Sequence, residues 1–380
     1  MSNRQWFYPT AFSAWGDEER AAVDRVLASG RLTMGPEVAA FEAELAEWHG
    51  VRHAVMVNSG SSANLVAVAA LLEVGVIKRG DTVLVPALAW STTYAPFVQL
   101  GLDLALVDCD PDTWCADFVS ARFDPRDARL LLSVNILGGA ADAARVLSVA
   151  SVLGCEVVED NCESLGARDA AGNLAGTAGL LSTTSFFWSH QVSAVEGGAV
   201  LTDDDLVARM ARMLRAHGWT RDVEPAADFD HEYDFRVMGY NLRPLEMHAA
   251  VAREQLRKQA AHNEVRVANL RCFQRMVSKG DLPVRLQLHD GSPSPFGMAF
   301  TVEDPDVRRR LASVLRAAGI DCRPPTGGSL RLHPYGARWA GQATPEADRV
   351  HTCGMFLGNG PVDLSEQVAR AVDVMAEVLR

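Results

Sequence analysis

Apolar residues in the first half of the chain switch between two periods. Over Asp17–Leu27 and Glu37–Trp48 they recur at three- and four-residue spacing, which predicts helices with one buried face, and Gly30 and Gly50 stand where each would stop. Short apolar or β-branched runs follow at Ala54–Val57, Thr82–Val85, Leu104–Val107, Leu130–Val134, Glu156–Val158 and Ala199–Thr202. These read as strands buried on both faces, with helical stretches between several of them. Such alternation predicts an α/β fold with a mostly parallel sheet, covered on both sides and binding ligands at the carboxyl ends of its strands. A long helical region from Arg243 to Lys279, the run GMAFTV at 297–302, a helix over Asp306–Ala318 and a last helix from Leu364 predict a smaller C-terminal α+β unit. The division is placed near residue 255, with a large domain over 1–255 and a small one over 256–380.

Composition narrows the class of partner. Of 380 residues, 48% are hydrophobic and 22% charged, which suits a globular chain with a substantial core. Lys plus Arg number 36 against 48 Asp plus Glu, a net charge of −12 with no basic run, so nucleic acid is not expected as a partner. A small anion needs only a few local donors and stays possible. The longest apolar run, Leu65–Leu72, is far short of the ~18 residues that suggest a membrane span, and the N-terminus shows no signal-like apolar stretch. Seven cysteines without a C-x-x-C pair indicate neither a disulfide scaffold nor a zinc site, so reduced thiols and a cytoplasmic location are expected, with no metal.

Five segments hold residue types suited to chemistry. Asn58–Asn64, NSGSSAN, lies at a strand-to-helix junction, where amides and hydroxyls favour an anion; it could equally be a simple helix cap. In VVEDNCE, Asp160 lies just past a strand and could pair with a protonated ring nitrogen, with Glu163 near the same ligand; an acid capping the next helix is the alternative. His190, in SFFWSHQ, would sit on a loop between two strands, as an acid/base group or as an ordinary surface residue. Trp90 in AWSTTY could stack on a flat ligand or merely pack. Asn241 and Arg243 in GYNLRP could contact an anion or cap the helix that follows.

Taken in this order, NSGSSAN, VPALAWSTTY, VEDNCESLGA, SFFWSHQVSAVEGGAVLTDD, LRAHGWTRD and GYNLRPLEMHAA resemble the DegT/StrS family of fold-type I pyridoxal-phosphate enzymes, which includes sugar aminotransferases and their dehydratase relatives. The resemblance runs from about residue 8 to the C-terminus. It implies that Ser61, Ser62 and Ser185 hold the cofactor phosphate, that Trp90 stacks on its ring, and that Asp160 pairs with the ring nitrogen and keeps it an electron sink. It also implies a homodimer in which Asn241, and with it Arg243, reaches the neighbouring active site. Trp219 and Arg221, Arg323, and the Gly358–Asn359 pair occupy segments that line or approach the family's substrate cleft.

His190 departs from the aminotransferase pattern, which has a lysine there to hold the cofactor covalently. An imidazole cannot form that link. The family's histidine-bearing members are sugar 3-dehydratases, so the resemblance implies deoxygenation of a nucleotide-linked 4-keto sugar, with His190 as base and glutamate regenerating pyridoxamine phosphate from pyridoxal phosphate. A C-x-C pair, which accompanies an iron–sulfur cluster in one relative, is missing, and no cluster is expected. Two rival readings stand beside this one: an aminotransferase working without the usual lysine, and a degenerate cofactor-binding regulatory protein.

Overall fold

A computed structural model describes residues 6–12, 14–119, 128–224 and 226–380. The two predicted amphipathic helices form as α1 (Asp17–Ser29) and α2 (Pro36–His49). Both stop at a glycine in the left-handed region, Gly30 at φ 69° and Gly50 at φ 78°. The strands are β1 (His53–Val57), β2 (Thr82–Pro86), β3 (Asp103–Val107), β4 (Ala128–Val134), β5 (Glu156–Asp160), β6 (Leu181–Ser185) and β7 (Gly198–Thr202). Between and after them run α3 (Gly60–Glu73), α4 (Ser91–Gln99), α5 (Ala143–Leu153) and α6 (Asp205–Arg215).

The seven strands make one sheet in the order β1-β7-β6-β5-β4-β2-β3. Pairing is parallel from β6 through β5, β4 and β2 to β3, while β7 runs antiparallel to both its neighbours. The sheet is therefore mostly parallel, as expected. Parallel strands buried on both faces need apolar side chains on both, and Val83, Val85, Leu130, Leu132, Val158 and Val200 enter one core while Leu84, Leu131 and Val157 enter another. β6 is the exception to the apolar rule. Its sequence, LSTTS, is buried throughout, and no apolar run marks it.

Helix α7 (Glu246–Lys279) links this unit to a second one. Its first half packs Ala249, Val251, Ala252 and Leu256 with α2 and β1, and its second half puts Leu270, Phe273 and Val277 into a separate core. Residue 255, the expected division, falls inside this helix. The second core lies between α7, α8 (Pro305–Ala317), α10 (Ser365–Leu379) and an antiparallel sheet ordered β10-β11-β9-β8. These strands are β8 (Arg285–Leu286), β9 (Gly297–Thr301), β10 (Cys322–Arg323) and β11 (Gly354–Gly358), and α9 (Pro345–Cys353) leads directly into β11.

The backbone of α3's first turn lies hard against β6 and β7. A Cβ on Gly198 would sit 2.5 Å from the Gly60 nitrogen, and one on Gly60 would sit 2.6 Å from the Cβ of Ser185. Because backbone cannot retreat as a flexible side chain can, Gly198→Ala is expected to lower stability by about 1–3 kcal/mol. A denaturant titration of the variant checks this, and an unchanged midpoint would contradict the close approach.

Candidate active site

Along β5 successive side chains point to opposite faces, so Glu159 and Asp160 face different surroundings. Glu159 accepts the backbone amides of Gly176, Ala178 and Gly179 at 2.9, 2.7 and 3.0 Å, pinning the loop before β6. Asp160 is the last residue of the strand rather than the first beyond it, and is 4% exposed. Its Oδ2 accepts from Asn64 Nδ2 at 3.0 Å and Thr93 Oγ1 at 2.7 Å, and its Oδ1 accepts from the Cys162 amide at 3.1 Å. Asn64 is held in turn by Thr183 of β6, whose hydroxyl donates to its Oδ1 at 2.5 Å. Three donors meet this buried carboxylate and fix its direction.

The donors to Asp160 come from the same short helix starts that carry other predicted residues. Ser59 caps α3, accepting the Ser62 amide at 3.1 Å, so the cap reading and the anion reading of this segment are compatible. By helix geometry the outermost amides, of Gly60 and Ser61, have no intrahelical acceptor, and they lie at the positive end of the helix dipole. Ser61 Oγ meets Thr92 Oγ1 at 2.6 Å, and Ser185, at the end of β6, stands against Gly60. Trp90 immediately precedes α4, three residues before Thr93, and is 57% exposed, so its indole is not committed to the core.

His190 lies on the loop between β6 and β7. Its ring meets Phe187 and Phe296 edge to face, with centroids 5.8 and 5.0 Å away, and Nδ1 faces Ser189 Oγ at 3.4 Å. Desolvation, aided by the nearby Arg266 cation, holds the imidazole well below its usual pKa and therefore uncharged at neutral pH. The next residue ties this loop to β5's exit: Gln191 Nε2 donates to the Glu163 carbonyl at 2.6 Å and the Ser294 carbonyl at 2.8 Å. Glu163 caps no helix, since turns follow β5; its Oε2 accepts the Leu137 amide at 3.0 Å. Burial, with the negative charge of Asp160, pushes its carboxyl up to about 8. The three lysines of the chain, Lys78, Lys258 and Lys279, lie elsewhere: after α3, beside Glu18 and Glu19 on α7, and at α7's last position.

Ser61, Ser62, Trp90, Asp160, Ser185, Glu163 and His190 are thus joined through two helix starts and two strand ends. The remaining predicted residues are not joined to them. Asn241 is exposed and accepts from Arg243 Nε at 3.1 Å; neither caps α7, whose N-cap is Leu245. Arg221 lies over the Trp219 ring at 4.2 Å, and Trp219 stacks on Tyr233 with centroids 5.2 Å apart. Arg323, on β10, pairs with Asp321 at 3.4 Å. Sequence reasoning named the segments that hold Asn64 and Thr93 without giving either a role, and passed over Thr183. The available signal was Asn64, a polar residue opening the apolar run of α3.

These residues fit a flat, cationic ring carrying an anionic arm. Asp160 can hold a protonated ring nitrogen, Trp90 offers an aromatic face, and hydroxyls with free helix amides suit a phosphate where a Cβ on Gly60 would crowd Ser185. No amine stands among them to bind such a ring covalently. Among the described residues no group of three or more His, Cys, Asp or Glu is placed to hold a metal, and no helix is long and apolar enough to cross a membrane.

Comparison with known proteins agrees with this geometry. GDP-4-keto-6-deoxy-D-mannose 3-dehydratase of Yersinia pseudotuberculosis is 37% identical over 387 residues, covering 97% of this chain and 98% of that protein. The enzyme of the same name from Escherichia coli O55:H7 is 36% identical, covering 98% of this chain and 99% of its own length. The structure of an E. coli GDP-4-keto-6-deoxy-D-mannose 3-dehydratase with bound hydrated PLP superposes with a TM-score of 0.91 at 34% identity, over 99% of this chain and 100% of that one. Another structure of such an enzyme, with a trapped PLP-glutamate geminal diamine, has a TM-score of 0.89 at 34% identity and covers 98% of this chain and 100% of that one. The fold is that of fold-type I PLP-dependent enzymes. The family model matches residues 14–376, and the chain belongs to the DegT/DnrJ/EryC1/StrS aminotransferase family.

Proposed function

We propose that this chain is a dehydratase that removes the oxygen at carbon 3 of a GDP-linked 4-keto-6-deoxy sugar, using pyridoxamine phosphate regenerated from pyridoxal phosphate by glutamate. The observation that carries this reading is His190 on the loop that Gln191 ties to the exit of β5, with Asp160 held by three donors and no lysine among the site residues. The names of the relatives support the sugar, and the PLP and glutamate adduct in the related structures support the cofactor and amino donor.

When bound, pyridoxamine phosphate supplies an amine that joins the keto carbon and a protonated ring that draws electrons away from it. Asp160, locked by Asn64 and Thr93, keeps the proton on the ring nitrogen. Ser61, Ser62 and Ser185, with the outer amides of α3, hold the phosphate, and Trp90 covers one face of the ring. His190 would take a proton through Nε2, since Nδ1 faces Ser189, from the carbon that bears the cofactor's amine, leaving the ring nitrogen protonated, and would pass it to the departing hydroxyl. Alone, so desolvated an imidazole is a weak base; the anionic groups that bind beside it raise its proton affinity toward the working range. Glu163 keeps its own proton at neutral pH, which avoids a second negative charge beside Asp160. We further assign Asn241 and Arg243 to the partner's site in a homodimer, and Trp219, Arg221 and Arg323 to the substrate cleft, on the family resemblance. We place the enzyme in the cytoplasm, and the division into two domains within α7.

Incubation with pyridoxal phosphate, glutamate and GDP-4-keto-6-deoxymannose is expected to give a sugar nucleotide that has lost one oxygen, with release of ammonia. Mass spectrometry of the product decides the matter, and accumulation of an aminated sugar would mean that the chain is a transaminase. His190→Asn should lower turnover by about 10²–10⁴-fold while pyridoxal phosphate still binds; near-normal turnover would remove His190 from the reaction. Glu163 is protonated below its raised pKa of about 8 and ionised above it, so cofactor affinity should be level at neutral pH and fall through that value. Equilibrium dialysis with Glu163→Gln should show no such fall, and the same alkaline loss in both proteins would assign it to another group.

A further inference from the structure

Arg266, on α7, is 4% exposed, and no carboxylate lies within ion-pair distance of it among the described residues. Its guanidinium donates to carbonyls: Nη1 to Asn359 at 3.0 Å and Pro295 at 3.4 Å, Nη2 to His190 at 3.4 Å. Its Nε is buried without a partner. Burying a cation against neutral acceptors costs more than burying an apolar side chain of the same size. Packing alone would be better served by methionine or leucine. What the guanidinium touches is the loop that carries His190 and the residue before Phe296, whose ring lies against the His190 imidazole.

We propose that Arg266 is a positioning residue for the reaction: it clamps the His190 loop to the Pro295–Phe296 segment and to the end of β11, and its charge keeps the imidazole a proton acceptor. The clamp has a second strand, since Asn359 Nδ2 donates back to the Arg266 carbonyl at 2.9 Å. Desolvation, with Phe187 and Phe296 packed on the ring, disfavours protonated His190 most, and repulsion from the Arg266 cation acts in the same direction. Other titratable groups around this loop, among the described residues, are Glu196 on the loop itself, raised by burial, His262, one turn earlier on α7 and itself depressed by burial and by Arg266, and Glu163, reached through Gln191. Anionic substrate and cofactor groups then supply the opposing charge, so the imidazole gains proton affinity only when the site is filled. This inference rests on His190 being the base, but its first test does not.

Histidine-labelled, cofactor-free protein is titrated by NMR from neutral to mildly acidic pH, with His190→Asn used to assign the His190 signal. In the native protein and in Arg266→Lys, which keeps the charge, the signal should stay that of neutral imidazole. In Arg266→Gln, which keeps donors without charge, it should begin to shift at higher pH, toward the ordinary histidine value near about 6.5. Superimposable curves for native protein and Arg266→Gln would overturn the electrostatic part of the proposal. In turnover assays Arg266→Lys should lose about tenfold or more in kcat with little change in KM, since the point charge cannot bridge three carbonyls. Full kcat in Arg266→Lys would overturn the clamp. If His190→Asn leaves turnover intact while the NMR curves still separate, the assignment of His190 as base fails and the charge coupling stands.

Discussion

Everything in this site depends on one buried carboxylate. Asp160 sits where the sheet ends, away from water, and an ion there must be met by donors or it will take up a proton. The fold supplies three, and each donor fixes something else. Asn64 places the first turn of α3, and with it Ser61 and Ser62; Thr93 places the start of α4, and with it Trp90; the Cys162 amide shapes the turn that carries Glu163. The carboxylate that would hold a cationic ring is also the group that registers the hydroxyls proposed for the phosphate and the exposed aromatic face around it.

On this anchored frame a single side chain changes the chemistry open to the protein. With lysine at position 190 a cofactor would be retained by a covalent bond; with histidine, on the proposed reading, retention would fall to Asp160, the α3 amides and the serines. The same scaffold thus hosts more than one reaction, and the loop between β6 and β7 rather than the sheet decides which. That loop is correspondingly braced. Gln191 ties it to the Glu163 and Ser294 carbonyls, and Phe296 and Arg266 hold its other side.

Much of this was legible in the sequence, for identifiable reasons. Strands buried on both faces must be apolar, so β1 to β5 and β7 stand out, whereas β6 was missed because LSTTS fills a buried place with hydroxyls that serve their neighbours, Thr183 for Asn64 and Ser185 for the cradle. Asp160, Ser61, Trp90 and His190 were named as candidates through their strings and through their places at a strand end, at helix starts and on a loop. The roles of Asn64, Thr93 and Arg266 were not legible, because they depend on contacts between residues 96, 67 and 76 positions apart in the chain, respectively. No local pattern encodes such a meeting. Asn241, Arg243, Trp219, Arg221 and Arg323 were named by resemblance alone, and within one chain they contact each other or nearby residues rather than the Asp160 site.

On this reading the site retains a phosphorylated pyridine cofactor without a covalent bond. Native mass spectrometry of the protein loaded with pyridoxal phosphate, before and after borohydride reduction, is the decisive experiment. A cofactor-sized mass increment is expected under native conditions and should disappear completely on denaturation, with or without borohydride. An increment that survives denaturation after reduction and maps to Lys78, Lys258 or Lys279 would contradict it.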